Sequence, residues 1–351
     1  MKLFDYTMNV RGIKMLTGGL GGVAVGMLHK KKHVAKEMVE FFLRHYRARS
    51  APIAILYPFR PDFYHKMGFG YGPIARTYRF RTHAIPRIPH PNVRFATDED
   101  QEAIKGCYQR YTDTTHGMID RPDFYWERVF ASKKGETIVH EIDGEIRGYL
   151  RFVFERSPDN HEFANDLVAR EFVYETADAL SQILSFVAHQ FDQAPYFALA
   201  SQDEDLHHLL ADPRNNQQVF FSLGYQQTHT AGIGLMYRVI NVAALFKELR
   251  EHNFNDQTSV LQVKVDDDFL PENAGSTVLT FQGGRVQVTP NAVPDATLSL
   301  HIREFSALIM GSAKLSNLIR YGLAHLDHAN HAPTIQRIFD VERPPICLTA
   351  F

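Results

Sequence analysis

Along the N-terminal stretch, the spacing of apolar and polar positions switches between strand and helix periods. Residues 3–10, LFDYTMNV, alternate like a strand, and Gly12 marks a turn before a second short strand around residues 13–16. Val23-Ala24-Val25 is a third β-type run. It is entered through Gly18-Gly19 and Gly21-Gly22, where a backbone without Cβ atoms can be approached closely. After a tight basic turn, Val34, Met38, Phe41, Phe42 and His45 recur at helical spacing, which predicts an amphipathic helix over about residues 31–47 with that face buried. Residues 53–56 form a further apolar run of strand length, closed by Pro58 and Pro61.

Residues 81–92 hold three prolines and no periodicity, and they read as a linker. A strand at residues 93–96 follows. Thr97, with Asp98 and Asp100, then supplies cap chemistry for a helix to about residue 111. Asp120-Arg121-Pro122 starts another helix, Asp143-Gly144 joins a hairpin, and residues 177–191 are helical. Beyond residue 241 come strands at 260–265, 277–281 and 285–288, then helices at 302–310 and 314–321. The order predicts a mixed α/β chain of the α+β kind, with domains at 1–86, 87–240 and 241–351. The first is thin and is expected to lean on its neighbour.

A formal charge of −2 argues against a nucleic-acid partner, which asks for a clearly basic domain. Cys107 and Cys347 are the only cysteines, which fits a reducing cytoplasm and supplies neither a disulfide framework nor a thiolate zinc site. No run of 18 apolar residues occurs, so no membrane span is expected.

The chemistry is expected around His29-Lys30-Lys31-Lys32-His33. The first amides of a helix have no intrahelical partner and sit at the positive end of its dipole, so an anion is favoured there. A solvated basic loop is the plainer reading of three lysines, and only the order of the neighbouring pieces favours the anion site. That order is V-A-V-x-x-x-H-K-K-K-x-x-A, a helix, A-x-L-Y-P-F, then F-Y-x-K-x-G-F-G-Y-G. It resembles the GCN5-related N-acetyltransferases (GNAT), in particular their Eis-like (enhanced intracellular survival) branch. Met27 stands where that branch has proline, and His33 where it has the glycine that lets the backbone wrap a pyrophosphate.

The resemblance implies two GNAT-type domains, the first short at its N-terminus and the second without cofactor, followed by a sterol-carrier-like domain. It implies acetyl-CoA as co-substrate, held by Val23, Ala24, Val25, Lys31, Lys32, His33, Val34, Ala35 and Lys36, with Phe59 beside it. Tyr64 matches the catalytic tyrosine that protonates the departing thiolate, and Phe351 supplies the base through its terminal carboxylate. The bland readings are a surface or core aromatic for Tyr64 and a tail docked only for packing at Phe351. Phe59, Phe63, Phe69 and Tyr71 are expected to line a mouth for a polyamine, an aminoglycoside or a lysine side chain. Homo-oligomers are common in the family.

His325, His328 and His331 lack a completing carboxylate or cysteine, so no metal is expected. The glycine run at 18–22 is expected to precede a strand, whereas a dinucleotide fingerprint follows one. The competing expectation is a non-catalytic binding protein whose last domain holds an apolar ligand.

Overall fold

The computed structural model describes residues 1–29, 31–132, 134–157, 165–215 and 224–351. Along the chain, β1 (Lys2–Val10) and β2 (Ile13–Gly21) make a hairpin, followed by α1 (Val34–Ala48), β3 (Ile53–Leu56), α2 (Pro61–His65) and β4 (Gly70–Tyr71). Next come β5 (Ile74–Arg81), β6 (Val93–Phe95), α3 (Gln101–Thr114), α4 (Asp123–Ala131), β7 (Glu136–Ile142), β8 (Glu145–Arg156) and β9 (Asn165–Tyr174). After these are α5 (Ala177–Ala188), β10 (Tyr196–Ser201), β11 (His229–Ile233), β12 (Met236–Val239) and α6 (Val242–Glu248). The last part holds β13 (Ser259–Asp266), β14 (Gly275–Gln282), β15 (Arg285–Val288), β16 (Ala296–His301), α7 (Ile302–Ile309), α8 (Leu315–Arg320), β17 (Ala324–Leu326) and α9 (Ala332–Phe339).

These elements form two compact units. One comprises Met1–Pro73, Thr115–Asp120 and Ile233–Phe351, and carries two five-stranded sheets, β1-β2-β3-β12-β4 and β15-β14-β13-β16-β17. The other comprises Ile74–Thr114 and Arg121–Gly232, around a seven-stranded sheet ordered β11-β5-β10-β9-β8-β7-β6. The units therefore depart from consecutive stretches cut at residues 86 and 240. β5 follows β4 directly yet pairs antiparallel with β10, and β12 returns to pair with β3 and β4. Two of the three sheets thus take a strand from the neighbouring stretch of sequence, a long-range pairing to which local periodicity is blind.

Alternation along β3 places its side chains on two faces. Ile53 and Ile55 join the core that continues through Phe246, Phe281, Phe305 and Phe339, whereas Ala54 and Leu56 join one with Leu20, Phe42, Tyr46 and Tyr64. Rings of the last domain fill its interior, so packing alone accounts for its apolar positions. Helix α1 buries Val39, Phe42, Leu43 and Tyr46. Of the expected face only Phe42 is fully buried, and Phe41 is exposed. The contact stripe is set by the sheet beneath, and Val39, Leu43 and Tyr46 satisfy the same helical spacing.

Two features tie the first sheet to the last domain within this unit. Asp267 accepts two hydrogen bonds from Arg238 Nη2, at 2.8 and 2.9 Å, with both side chains fully buried. Asp267 also receives the Leu270 amide and the Asn273 side chain. At Gly68 (φ +81), any Cβ would overlap the Arg238 guanidinium, so glycine is required there.

Candidate active site

The parallel ladder between β2 and β3 ends at Leu20 and Leu56. Val23, Ala24 and Val25 lie beyond it outside any strand or helix, which corrects the expected strand there. The strand is the glycine run itself. A Cβ on Gly18 would stand 2.5 Å from the Tyr46 ring, and one on Gly19 would stand 2.5 Å from the Tyr6 ring. Two tyrosines occupy the space that side chains would take, and β2 lasts until they are passed. The amides of Val23 to Val25 are accordingly not taken up by a neighbouring strand.

A 3₁₀ turn at Met27–His29 leads into the basic turn, of which Lys30 lies outside the described residues. Helix α1 begins at Val34, not near residue 31, because Lys31 (φ 64) and His33 (φ 60) are left-handed. Lys32 between them is not left-handed. Such alternation of hand turns successive amides inward, the geometry of an anion-binding concavity. The His33 carbonyl accepts the Lys36 and Glu37 amides at 2.8 and 3.1 Å, and no side chain caps the helix, so the Val34 and Ala35 amides stay open. Lys31, Lys32 and Lys36 are exposed, and the Lys36 ammonium stands 5.6 Å from the centre of the Phe269 ring. His33 thus adopts the backbone conformation for which glycine is the ordinary choice, at a cost of about 1 kcal/mol. Open amides and lysine charge together fit a diphosphate.

Tyr64 lies in α2 with its ring buried at 3% exposure, edge-on to Phe59 (5.8 Å), Phe63 (5.3 Å) and Phe69 (6.0 Å). Burial raises its phenol above the ordinary value, so the hydroxyl keeps its proton at neutral pH. Among the expected mouth residues, Phe69 is fully buried and cannot line an opening, because it packs beneath Tyr64. Phe59 is 67% exposed, and Tyr71 stacks on His65 at 4.5 Å. The glycines of this block have a packing reason: a Cβ on Gly70 would meet the Arg303 carbonyl oxygen at 2.2 Å, so α7 lies directly against β4.

The chain end has no regular structure after α9, yet Cys347 and Thr349 are buried. The Phe351 ring sits among Phe4 (5.8 Å), Tyr6 (5.0 Å) and Tyr57 (5.3 Å). The Tyr57 hydroxyl donates to the Thr349 carbonyl at 3.2 Å. A Cβ on Gly21 would lie 3.6 Å from the Phe351 carbonyl carbon. Phe351 therefore stands at the end of β2 with the Tyr6 ring on one face of the sheet, whereas Tyr64 belongs to the core on the other face, which includes Leu20 and Leu56. The ring cage of Phe4, Tyr6 and Tyr57 had no signal in the sequence, because its members come from separate elements.

The acetyltransferase (GNAT) domain pattern matches residues 1–72 and again residues 117–239, and the sterol carrier protein domain matches residues 242–348. An uncharacterized N-acetyltransferase of Streptomyces coelicolor is 24% identical over 336 residues, covering 90% of this chain and 76% of the relative. N-acetyltransferase Eis of Mycobacterium tuberculosis is 23% identical over 335 residues, with the same two coverages. The chain is an acetyltransferase with two GNAT domains, similar to the Eis-like N-acetyltransferases. Solved structures share the fold: Eis1 of Mycobacterium abscessus superposes with a TM-score of 0.81 at 18% identity, covering all of this chain and 87% of the other. A GCN5-related N-acetyltransferase of Anabaena variabilis gives 0.82 at 20% identity, covering 99% and 86%.

In this acetyltransferase the two GNAT domains differ where a strand meets a helix. Between β9 and α5 stands an acid, Glu175, held by Arg110 and Arg147, and the Thr176 side chain caps the helix by accepting the Ala179 amide at 3.1 Å. Among the described residues no group of three or more His, Cys, Asp or Glu is placed to hold a metal ion, and no helix is long and apolar enough to cross a membrane.

Proposed function

We propose that this acetyltransferase takes its acetyl group from acetyl-CoA and delivers it to a primary amine, on a small polycation or on a lysine side chain. The observation that supports the reading is the Phe351 carboxyl lying against Gly21 at the end of β2, next to a turn of open amides and lysines, with Tyr64 in the core on the other face of the same sheet. The turn of Lys31, Lys32 and His33, with the amides of Val34 and Ala35, holds the diphosphate, and Lys36 and Phe59 flank the cofactor. The unpaired amides of Val23, Ala24 and Val25 receive the thioester carbonyl.

The Phe351 carboxylate accepts, directly or through a water, the proton of the incoming ammonium. The free amine attacks the carbonyl carbon, the C–N bond forms and the C–S bond breaks. Tyr64 gives its proton to the leaving thiolate and regains one from the nitrogen, which sheds its second proton as the tetrahedral intermediate collapses to the amide. Coenzyme A thus leaves as the thiol, and the proton on the Phe351 carboxyl passes to solvent. The second GNAT domain, with Glu175 and a closed helix cap where an anion would need open amides, acts as support without cofactor. On this reading the protein works in the cytoplasm as a homo-oligomer, without a metal and away from nucleic acid and membrane.

The test is incubation with acetyl-CoA and, in separate reactions, spermidine, an aminoglycoside and a lysine peptide. Mass spectrometry then follows acetylated product while thiol release follows free coenzyme A. Stoichiometric product with one of the amines is expected. Thiol release without acetylated amine would overturn the reading.

A further inference from the structure

The segment Thr115–Asp120 lies between α3 and α4 in sequence, yet it packs with the first unit. On one side it pairs with β1: the Asn9 amide donates to the Met118 carbonyl, the Asp120 amide to the Thr7 carbonyl, both at 2.9 Å, and the Gly117 amide to the Asn9 carbonyl at 2.7 Å. On the other side it grips the C-terminal tail. The Ile346 amide donates to the His116 carbonyl at 2.8 Å, and Gly117 (φ +91) is so close that a Cβ there would stand 2.6 Å from Pro345 Cβ and 2.9 Å from the Ile346 backbone.

The His116 ring fixes the segment in turn. Its Nδ1 accepts the Arg11 amide at 3.1 Å, which leaves the proton on Nε2 to be donated to the Met310 carbonyl at 3.0 Å. The Arg11 guanidinium reaches the Ile309, Phe339 and Asp340 carbonyls, so it holds the point where the tail leaves α9.

The tail is thus held at its root by Arg11, at its middle by residues 116–117, and at its end by the Phe351 cage. Its route from Asp340 to Phe351 has no helix or strand of its own to set the position of the carboxylate. We propose that Thr115–Asp120 is a clasp that sets the position of the Phe351 carboxylate, with Gly117 and His116 as its positioning residues. The clasp rests on the reading of that carboxylate as the base.

The test is a cycle of variants. One chain is extended by a residue after Phe351, one carries Gly117→Ala, and one carries both. The expected result is a fall in kcat of tenfold or more for Gly117→Ala, with an unchanged KM for acetyl-CoA. A similar loss is expected on extension, with no further loss when the two are combined. Release of Phe351 by carboxypeptidase A should be at least tenfold faster in Gly117→Ala, read well below a melting temperature that the left-handed backbone at Gly117 will itself lower.

His116→Ala should repeat this pattern, and His116→Gln, whose amide can still donate to Met310, should restore most of the rate even if Gly117→Ala folds poorly. If extension abolishes turnover while Gly117→Ala and His116→Ala leave it intact, the clasp is overturned and the base stands. If Gly117→Ala lowers kcat by the same factor in the extended chain, Gly117 acts through the fold and the clasp is likewise overturned. If extension changes nothing, the base reading falls and the clasp with it.

Discussion

Gly21 and Phe351 stand against each other at the end of β2: a Cβ on Gly21 would lie 3.6 Å from the Phe351 carbonyl carbon and 2.9 Å from the Phe4 ring. Gly21→Ala therefore has to displace a packed ring that itself braces Phe351. Such overpacking costs about 1–3 kcal/mol. Turnover is expected to fall more steeply than stability, and comparison of kcat with the urea midpoint checks it.

Tyr64→Phe removes an oxygen and leaves the ring contacts with Phe59, Phe63 and Phe69 in place. The melting temperature should hold while kcat drops by about 10²–10⁴, the usual worth of a positioned proton donor. Because burial raises the Tyr64 phenol above its ordinary value, any alkaline decline of the parental rate from this group should set in later than an unburied phenol would give. A pH–rate profile of both proteins reads the two effects together.

His33→Gly relieves the left-handed strain at the start of α1. Relief of about 1 kcal/mol in the ordered turn should appear as a several-fold lower Kd for coenzyme A, through preorganisation of the amides. Calorimetric titration measures it. An unchanged Kd would mean that the His33 ring supplies a compensating contact.

Stability should depend on pH through His116 and His252. Burial first, and the Arg11 cation second, hold each imidazole down at about 4, against 6.5 in the free side chain. Between these values the unfolded chain binds protons that the folded chain refuses, so stability is full above about pH 6.5 and falls as pH drops toward 4. Urea midpoints at pH 5 and pH 7 should differ in that direction, and His116→Gln should flatten part of the slope.

Asp267→Ala leaves the buried Arg238 guanidinium without its carboxylate and frees the Leu270 amide and the Asn273 side chain. Loss of one partner of a buried pair typically costs about 3–5 kcal/mol. Chemical denaturation is the check, and a loss below about 1 kcal/mol would show that the pair is dispensable.

What the sequence by itself determined is the local grammar. The apolar run at Ile53–Leu56 is a strand with those bounds. Asp143 (φ 52) and Gly144 (φ 78) make the left-handed turn that their pairing announces, and Thr97 with Asp100 makes a capping box. The order of turn, helix, strand and aromatic block pointed to the family, since each piece depends on neighbours within one or two turns of chain. Only the tertiary structure decided what the glycines are for, which face of α1 is buried, where β5 and β12 pair, and what holds the tail. Gly18 needs Tyr46, Gly19 needs Tyr6, and Gly117 needs Pro345. Those contacts join elements far apart in the chain, so no local pattern encodes them, and they appear only when packing brings two distant surfaces to van der Waals distance.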